Sequence, residues 1–506
     1  MERREVLKNI FSLSIAAAVA PLPSFANLSS AEGDLLKQNA QSFNKALLIN
    51  PNLQGFVGLK QNIPPQALMI EGAIPADFKG AFYRNGPAIH QRQEQRYSHL
   101  FEGDGMVQQF SFSEEGVTHQ AKFVNTDKFI QEQQAEKFLF SGPDSKLKHS
   151  RSVTGPDSIN TANINVLPVN GELWALWEAG SATALDANTL NTKGLVDLGK
   201  NTKYGRSLKG LAFSAHPKVD PDGTIWNFGS TTTGDIVLYH LSKQGITQKV
   251  NILKTNYRGG MLHDFLVTHK HLLIILPSII QDKTNNTFFG AISFAKQLPM
   301  RVLVVDKETL TLKREYNLEP GFAFHFGNAW EDQQGNIRFD ASLYPNLDNL
   351  HYMSDIMQGR INHPEPAKTT FFTLYKNGQT KKETLSGVSE FPRIYNHSTG
   401  LKNDTLVTLS SIESDVWSDS VRVINTNTGK QDIFTYGKEY LVEEHIVVDT
   451  SQKEGNGYLV GTALHVPSKR TCVNIFKASR VSEGPVCKAW LPHSIPLGFH
   501  GNFMPI

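Results

Sequence analysis

From about Phe56 onward the chain is written in short apolar runs separated by Gly, Asn and Asp, with few stretches of helical period. The recurring unit is an apolar strand, a polar turn and a second strand. It appears as TALDANTLNTKG from Thr183, VLYHLSKQGITQ from Val237, VLVVDKETLTLK from Val302 and FFTLYKNGQTKK from Phe371, then as VRVINTNTGKQD from Val421 and NIFKASRVSEGP from Asn474. A further turn and strand precede several copies, as in NGELWALWE, DGTIWNFGS and QGNIRFDAS. Loosely repeated four-stranded units of about 40 to 50 residues are the signature of propeller blades, and spread along this chain they come to about seven. The pattern predicts an all-β propeller, with a pair of stacked β-sandwiches as the competing architecture.

Two stretches interrupt the strands. Asp127 to Ser141, DKFIQEQQAEKFLFS, sets Phe129, Ile130, Phe138 and Leu139 on a helical stripe, and Ile279 to Met300 carries Phe288, Phe289, Ile292, Phe294 and Leu298 in a connection. Such residues either pack on the domain's own surface or form an apolar mouth that touches a membrane or admits an apolar substrate.

Composition narrows the class. The 506 residues are 40% hydrophobic and 19% charged with a formal net charge of +2, as in an ordinary globular protein. No basic block or recognised motif points to nucleic acid. The first 26 residues read as an address: Arg3 and Arg4 open a basic run to Lys8, an apolar segment follows from Ile10 to Leu22, and Ser24-Phe25-Ala26 offers a cleavage site. Paired arginines make this a twin-arginine export signal, so residues 27–506 are expected as one mature domain outside the cytoplasm, in the bacterial periplasm. The two cysteines, Cys472 and Cys487, cannot build a Cys-rich metal motif, and free buried thiols are expected ahead of a disulfide.

The chemistry lies in histidines. His216 in LAFSAHPKVDP, His263 in GGMLHDFLV, His325 in GFAFHFGNAWED and His500 in PLGFHGNFMPI all sit in short apolar contexts, the last in a C-terminal tail too apolar to be left in solvent. A propeller brings strands from distant parts of a sequence to one axis, so widely spaced histidines can meet with one ligand from each of four blades. With 17 histidines present, context alone is weak evidence. Glu178 in LWALWEAGS, Glu390 in VSEFPRIY and Glu444 in LVEEHIVV strengthen it, because a buried glutamate is costly unless paired and a ligating imidazole hands its other N–H to a carboxylate or carbonyl.

At these positions the chain resembles the carotenoid cleavage oxygenase family, which includes a retinoid isomerohydrolase and bacterial apocarotenoid and lignostilbene oxygenases. FYRNGPA from Phe82, HLFEGDGMV from His99, AHPKVDP around His216, LHDFLVT around His263, FHFGNAWED around His325, SEFPRI around Glu390 and LPHSIPLGFHGNF leading into His500 carry the resemblance from about Gly58 to the C-terminus. It implies a seven-bladed β-propeller with a loop and helix cap, and an iron(II) ion held by His216, His263, His325 and His500. Glu178, Glu390 and Glu444 are the implied carboxylate partners of those ligands.

The implied activity is dioxygen-dependent scission of a carbon–carbon double bond in a conjugated apolar substrate, a carotenoid or apocarotenoid, to two carbonyl products. No acid, base or nucleophile is expected beyond the metal site. Stilbene-cleaving relatives hold a phenol oxygen with a lysine and a tyrosine. Lys128 lies where such a lysine would fall, without a matching tyrosine motif, and a surface lysine is the simpler reading. Hydroxystilbene cleavage is therefore the alternative within the enzyme class, and a non-catalytic metal-containing ligand-binding propeller is the alternative outside it.

Overall fold

The computed structural model describes residues 32–282 and 284–505, so the expected export signal lies outside the described residues. Seven antiparallel sheets of four or five strands follow one another around an axis. Blade 1 holds Gly80–Ile89, Asp104–Ser113 and Gly116–Phe123, and blade 2 runs from Asn165–Val169 to Thr192–Leu195. Blades 3 and 4 run from Lys218–Val219 to Thr247–Leu253 and from Leu266–Val267 to Leu312–Leu318. Blades 5, 6 and 7 begin at Phe322–Glu331, Glu390–Arg393 and Tyr440–Val448. Five of the six strand-turn-strand units read from the sequence are the third strands of blades 2 to 6 running into the fourth; the sixth, from Asn474, covers the end of the third strand of blade 7 and a 3-10 turn at Val481–Glu483, and stops short of the fourth strand at Cys487–Trp490.

The turns in blades 2, 4 and 6 share one mechanism. Asp186 Oδ1 accepts from the amides of Asn188 and Thr189, Asp306 Oδ1 from that of Thr309, and Asn425 Oδ1 from those of Asn427 and Thr428. Each loop then closes through a left-handed residue, Leu190, Leu310 or Gly429, whose amide returns to the carbonyl of the first turn residue at 2.8 Å. A short polar side chain that mimics a backbone turn is the reason Asp and Asn punctuate the apolar runs.

The core lies between blades. In the strand His271–Leu276, Leu273 and Ile275 face a cluster shared with blade 5, whereas Leu272, Ile274 and Leu276 face one shared with blade 3. Both faces of such a strand are buried, which gives continuous apolar runs where a half-exposed sheet would alternate.

The ring closes twice. Met69–Gly72 adds to Cys487–Trp490 at the outer edge of blade 7, and the C-terminal strand His500–Pro505 adds to Gly80–Ile89 as the inner strand of blade 1, with Asn85 opposite His500. Cys472 and Cys487 are buried free thiols on neighbouring strands.

Helices and loops cap the propeller: α1 (Glu32–Ile49), α2 (Asp127–Ala135), the single turn α3 (Phe288–Ala291) and α4 (Asp348–Met357). Among the described residues no helix is long and apolar enough to cross a membrane. Most apolar residues of the two interrupting stretches pack on the protein itself, while Ile130, Ile280 and Leu298 are exposed. Phe129, Phe138 and Leu139 are buried around α2, and Phe289 and Ile292 join Phe322, Phe324 and Tyr344 in one cluster.

Candidate metal centre

Four blades each supply one histidine at the axis. His216 and His263 lie just ahead of the inner strands of blades 3 and 4, His325 lies within the inner strand of blade 5, and His500 opens the inner strand of blade 1. All four are buried, and one ring nitrogen from each lies within 4.8 Å of the others. That span is close to the roughly 4.2 Å between two nitrogens on opposite sides of an ion at about 2.1 Å.

Carboxylates set the ring tautomers. Glu390 Oε2 is 2.5 Å from His325 Nδ1, Glu444 Oε1 is 2.8 Å from His500 Nδ1, and Glu178 Oε1 sits against His263 Nδ1. A neutral imidazole that donates through Nδ1 has a bare lone pair at Nε2. The Nε2 atoms of His263 and His325 nevertheless face each other at 3.3 Å, and those of His216 and His263 at 2.9 Å. In the His263–His325 pair, where carboxylates hold both protons on Nδ1, two bare lone pairs repel at that distance, so the arrangement calls for a cation between them.

Burial, reinforced by the neighbouring imidazoles, pushes His216 and His263 well below the usual histidine range. Burial also lowers His500, to about 4, against the partly opposing pull of Glu444. The rings of His216, His263 and His500 therefore stay neutral and ready to ligate. Three glutamates against the one guanidinium of Arg393 leave a local charge of about −2, which a divalent ion balances. The residues fit a divalent metal.

Irregular inner strands aim these groups. The register shifts around His325 in blade 5, between Glu390 and Arg393 in blade 6, and between Val442 and His445 in blade 7. A bulge turns a side chain that regular pleating would send into a blade interface towards the axis. In blade 6 it puts Phe391 in the left-handed region at φ 52°, with its ring stacked on His325 at 5.0 Å between centroids.

Two partners had no assigned role in the sequence. Arg393 grips Glu444 with two bonds of 2.8 Å and donates to the Gly501 carbonyl, and Tyr344 donates to Glu390 Oε1 at 2.7 Å. Burial alone would raise the Glu444 carboxyl, but Arg393 and His500 outweigh it and hold the group well below the usual range. Arg393 was in view inside SEFPRI; nothing in the local sequence marks Tyr344.

His263, His325 and His500 line a cavity of about 360 Å³. Its walls are apolar and aromatic, with Phe101, Phe324, Tyr344, Phe391, Trp417 and Phe499 among them, and its rim includes the exposed His363 and Asp415. The α2 stretch and the 279–300 connection supply none of the lining, so the mouth lies between α4 and residues 363–367 and 411–418.

The family model described as retinal pigment epithelial membrane protein matches residues 56–505. The chain belongs to this family of carotenoid cleavage oxygenases. Among curated members, it is 27% identical over 462 residues to an apocarotenoid-15,15'-oxygenase of Synechocystis sp., covering 86% of this chain and 92% of that one. It is also 27% identical to a lignostilbene-α,β-dioxygenase isozyme III of Sphingomonas paucimobilis, covering 90% and 97% of the two chains. A solved structure of cobalt-substituted Synechocystis apocarotenoid oxygenase superposes with a TM-score of 0.79 at 23% identity, covering 90% of this chain and 99% of that one, which establishes the shared propeller.

Within this family member, Lys128 departs from the surface position expected of it. It is buried on α2, with its ammonium 2.7 Å from Asp104, 3.0 Å from Glu132 and 2.8 Å from the Tyr97 hydroxyl. Burial works against its charge, but the two carboxylates prevail and raise its proton affinity. A helix that points Lys128 inward can bury it because Asp104 and Glu132 neutralise it there. Neither Lys128 nor Tyr97 lines the cavity, and the ring of Phe138 covers Tyr97 with centroids 3.9 Å apart.

Proposed function

We propose that the protein is an iron(II)-dependent dioxygenase that cleaves a carbon–carbon double bond of a carotenoid or apocarotenoid. The observation that carries this reading is the four-imidazole cluster, backed by three carboxylates, at the inner end of an aromatic-walled cavity. His216, His263, His325 and His500 would hold the ion. Iron in that place supplies a site for dioxygen and the redox chemistry of its activation.

The chain's own residues do the rest. Phe391 and Phe324 flank the histidines and present flat faces against which a conjugated chain lies, and Phe101, Trp417 and Phe499 exclude water along its length. Aromatic faces also stabilise positive charge that develops on a polyene. Both oxygen atoms of dioxygen end in the two carbonyl products, so the overall reaction balances without an outside reductant. Glu178, Glu390 and Glu444 keep the imidazole protons on Nδ1, and no protein acid or base is required at the scissile bond.

Iron is favoured over a structural zinc because closed zinc sites are typically built with cysteine or mixed ligands. Export by the twin-arginine route, inferred from Arg3 and Arg4, would allow iron loading before exposure to competing copper and zinc. The test is incubation with an apocarotenal under air and under argon. Bleaching and two carbonyl fragments are expected only under air; isomerisation without oxygen, or retention of zinc with no turnover, would sink the reading.

Hydroxystilbene cleavage is a second reading, favoured by the 2.8 Å contact between Lys128 and Tyr97. Cover by Phe138 and neutralisation by Asp104 and Glu132 weigh against it, because a phenol would have to displace both. Parallel assays with polyenes and hydroxystilbenes separate the two.

A further inference from the structure

The strand that closes the ring also carries His500, and a pair of residues outside the histidine–carboxylate set governs how it enters the axis. We propose that the buried Arg84–Glu443 ion pair is the positioning device for His500, an inference that rests on the metal-binding reading of the four histidines. Glu443 and Glu444 are adjacent, and the register shift between Val442 and His445 lets both reach the C-terminal tail. Glu444 takes the His500 ring and, at 2.9 Å, the Gly501 amide. Glu443 Oε1 takes the Gly498 amide together with Arg84 Nε at 2.8 Å and Arg84 Nη2, while its Oε2 accepts from the Thr462 hydroxyl at 2.5 Å.

Arg84 completes the grip by donating to the Pro496 carbonyl at 2.5 Å. The pair thus holds a carbonyl and an amide of the segment just ahead of His500, beside the main-chain bonds that Leu497 N–H donates to the Gly55 carbonyl and Phe499 N–H to the Asn85 carbonyl, both at 2.9 Å. Ladder pairing begins only at His500, opposite Asn85 on the strand that also carries Arg84. Space is fitted to the same purpose. A Cβ on Gly498 would come within 2.8 Å of the Arg84 guanidinium, and one on Gly86 within 2.3 Å of the Gly498 Cα.

The Arg84 and Glu443 side chains are only 4% and 2% exposed. A buried pair of this kind is a poor source of net stability, since desolvation offsets most of its attraction, and its best-attested use is to specify register. Register is what His500 needs. A displacement of about 1 Å takes a ligand atom out of a shell whose metal–nitrogen distances tolerate about 0.2 Å. Glu443 and Arg84 touch neither ring nor substrate and act through the tail.

The experiment uses the full chain loaded with cobalt(II). It reads the cobalt d–d spectrum, the cobalt dissociation constant by chelator competition, and amide hydrogen exchange across residues 496–505. In Glu443→Gln, cobalt affinity is expected to fall about 10- to 100-fold, the spectrum to move towards that of His500→Ala, and exchange in the tail to quicken. A Glu443→Gln protein that is less stable yet has wild-type affinity and spectrum overturns the proposal, because the pair then serves the fold alone. Should that variant not fold, Thr462→Val removes one bond to the same carboxylate and is expected to weaken cobalt binding severalfold; unchanged affinity there also overturns it. Wild-type protein that fails to bind cobalt would instead refute the metal reading.

Discussion

Tyr344 and His325 occupy opposite oxygens of one carboxylate: the phenol donates to Glu390 Oε1 at 2.7 Å and the imidazole meets Oε2 at 2.5 Å. Tyr344 lines the cavity as well, so it links the substrate wall to the metal-facing ring. In Tyr344→Phe, metal affinity is expected to drop about fivefold, the worth of one hydrogen bond of roughly 1 kcal/mol. Glu390→Gln should cost more, about 10- to 100-fold in metal affinity or activity. Chelator competition on purified protein measures both, and a Glu390→Gln protein with wild-type affinity would make the carboxylate merely structural.

His500→Ala tests the ligand set itself. Because the inter-blade clusters do not depend on the axial site, the variant should keep a cooperative unfolding transition while retaining no iron. Metal analysis beside a thermal melt decides it. Full iron occupancy in the variant would remove His500 from the set.

Phe391 sits at φ 52°, where a Cβ costs roughly 1–2 kcal/mol. Phe391→Gly should therefore be more stable than Phe391→Ala by about 1 kcal/mol in denaturant unfolding, the strain being relieved only by glycine. Equal stabilities would mean that the bulge in blade 6 relaxes around either residue.

Acid sensitivity follows from buried histidines away from the axis. Burial lowers His119 to about 3, with His493 and Arg84 adding to the effect. Burial likewise takes His99 and His445 to about 4. In the unfolded chain these rings titrate near 6.5. Below that value unfolding takes up protons that the fold refuses, so stability is full above about pH 6.5 and is lost as the pH falls towards about 4. Each group contributes a slope of up to about 1.4 kcal/mol per pH unit, and His119→Gln should flatten the profile by about one such increment. A profile unchanged by that substitution would show that His119 is protonated in the fold.

The blades were legible because their signals are local. Asp186, Asp306 and Asn425 announce their turns through their own side chains, and runs such as His271 to Leu276 announce strands buried on both faces. The seven-bladed expectation matches the sheets observed, and the structure brings His216, His263, His325 and His500 together beside Glu178, Glu390 and Glu444. Of the two readings left open for the apolar connection at 279–300, surface packing or a cavity mouth, the structure gives the first for a physical reason. Phe289 and Ile292 are as apolar as any tunnel residue, but they are spent on the cluster beneath the cap.

The sequence by itself determined the strand and turn repeat, the all-β class and the set of candidate axial residues, since periodicity, turn chemistry and motif order survive without a third dimension. Only the tertiary structure decided which of the neighbours Glu443 and Glu444 faces His500, why Phe391 takes a left-handed backbone, and that Lys128 is buried against Tyr97. Those outcomes hang on single-residue register shifts and on contacts between segments tens of residues apart. A bulge one residue earlier would have sent the same side chains to the opposite face.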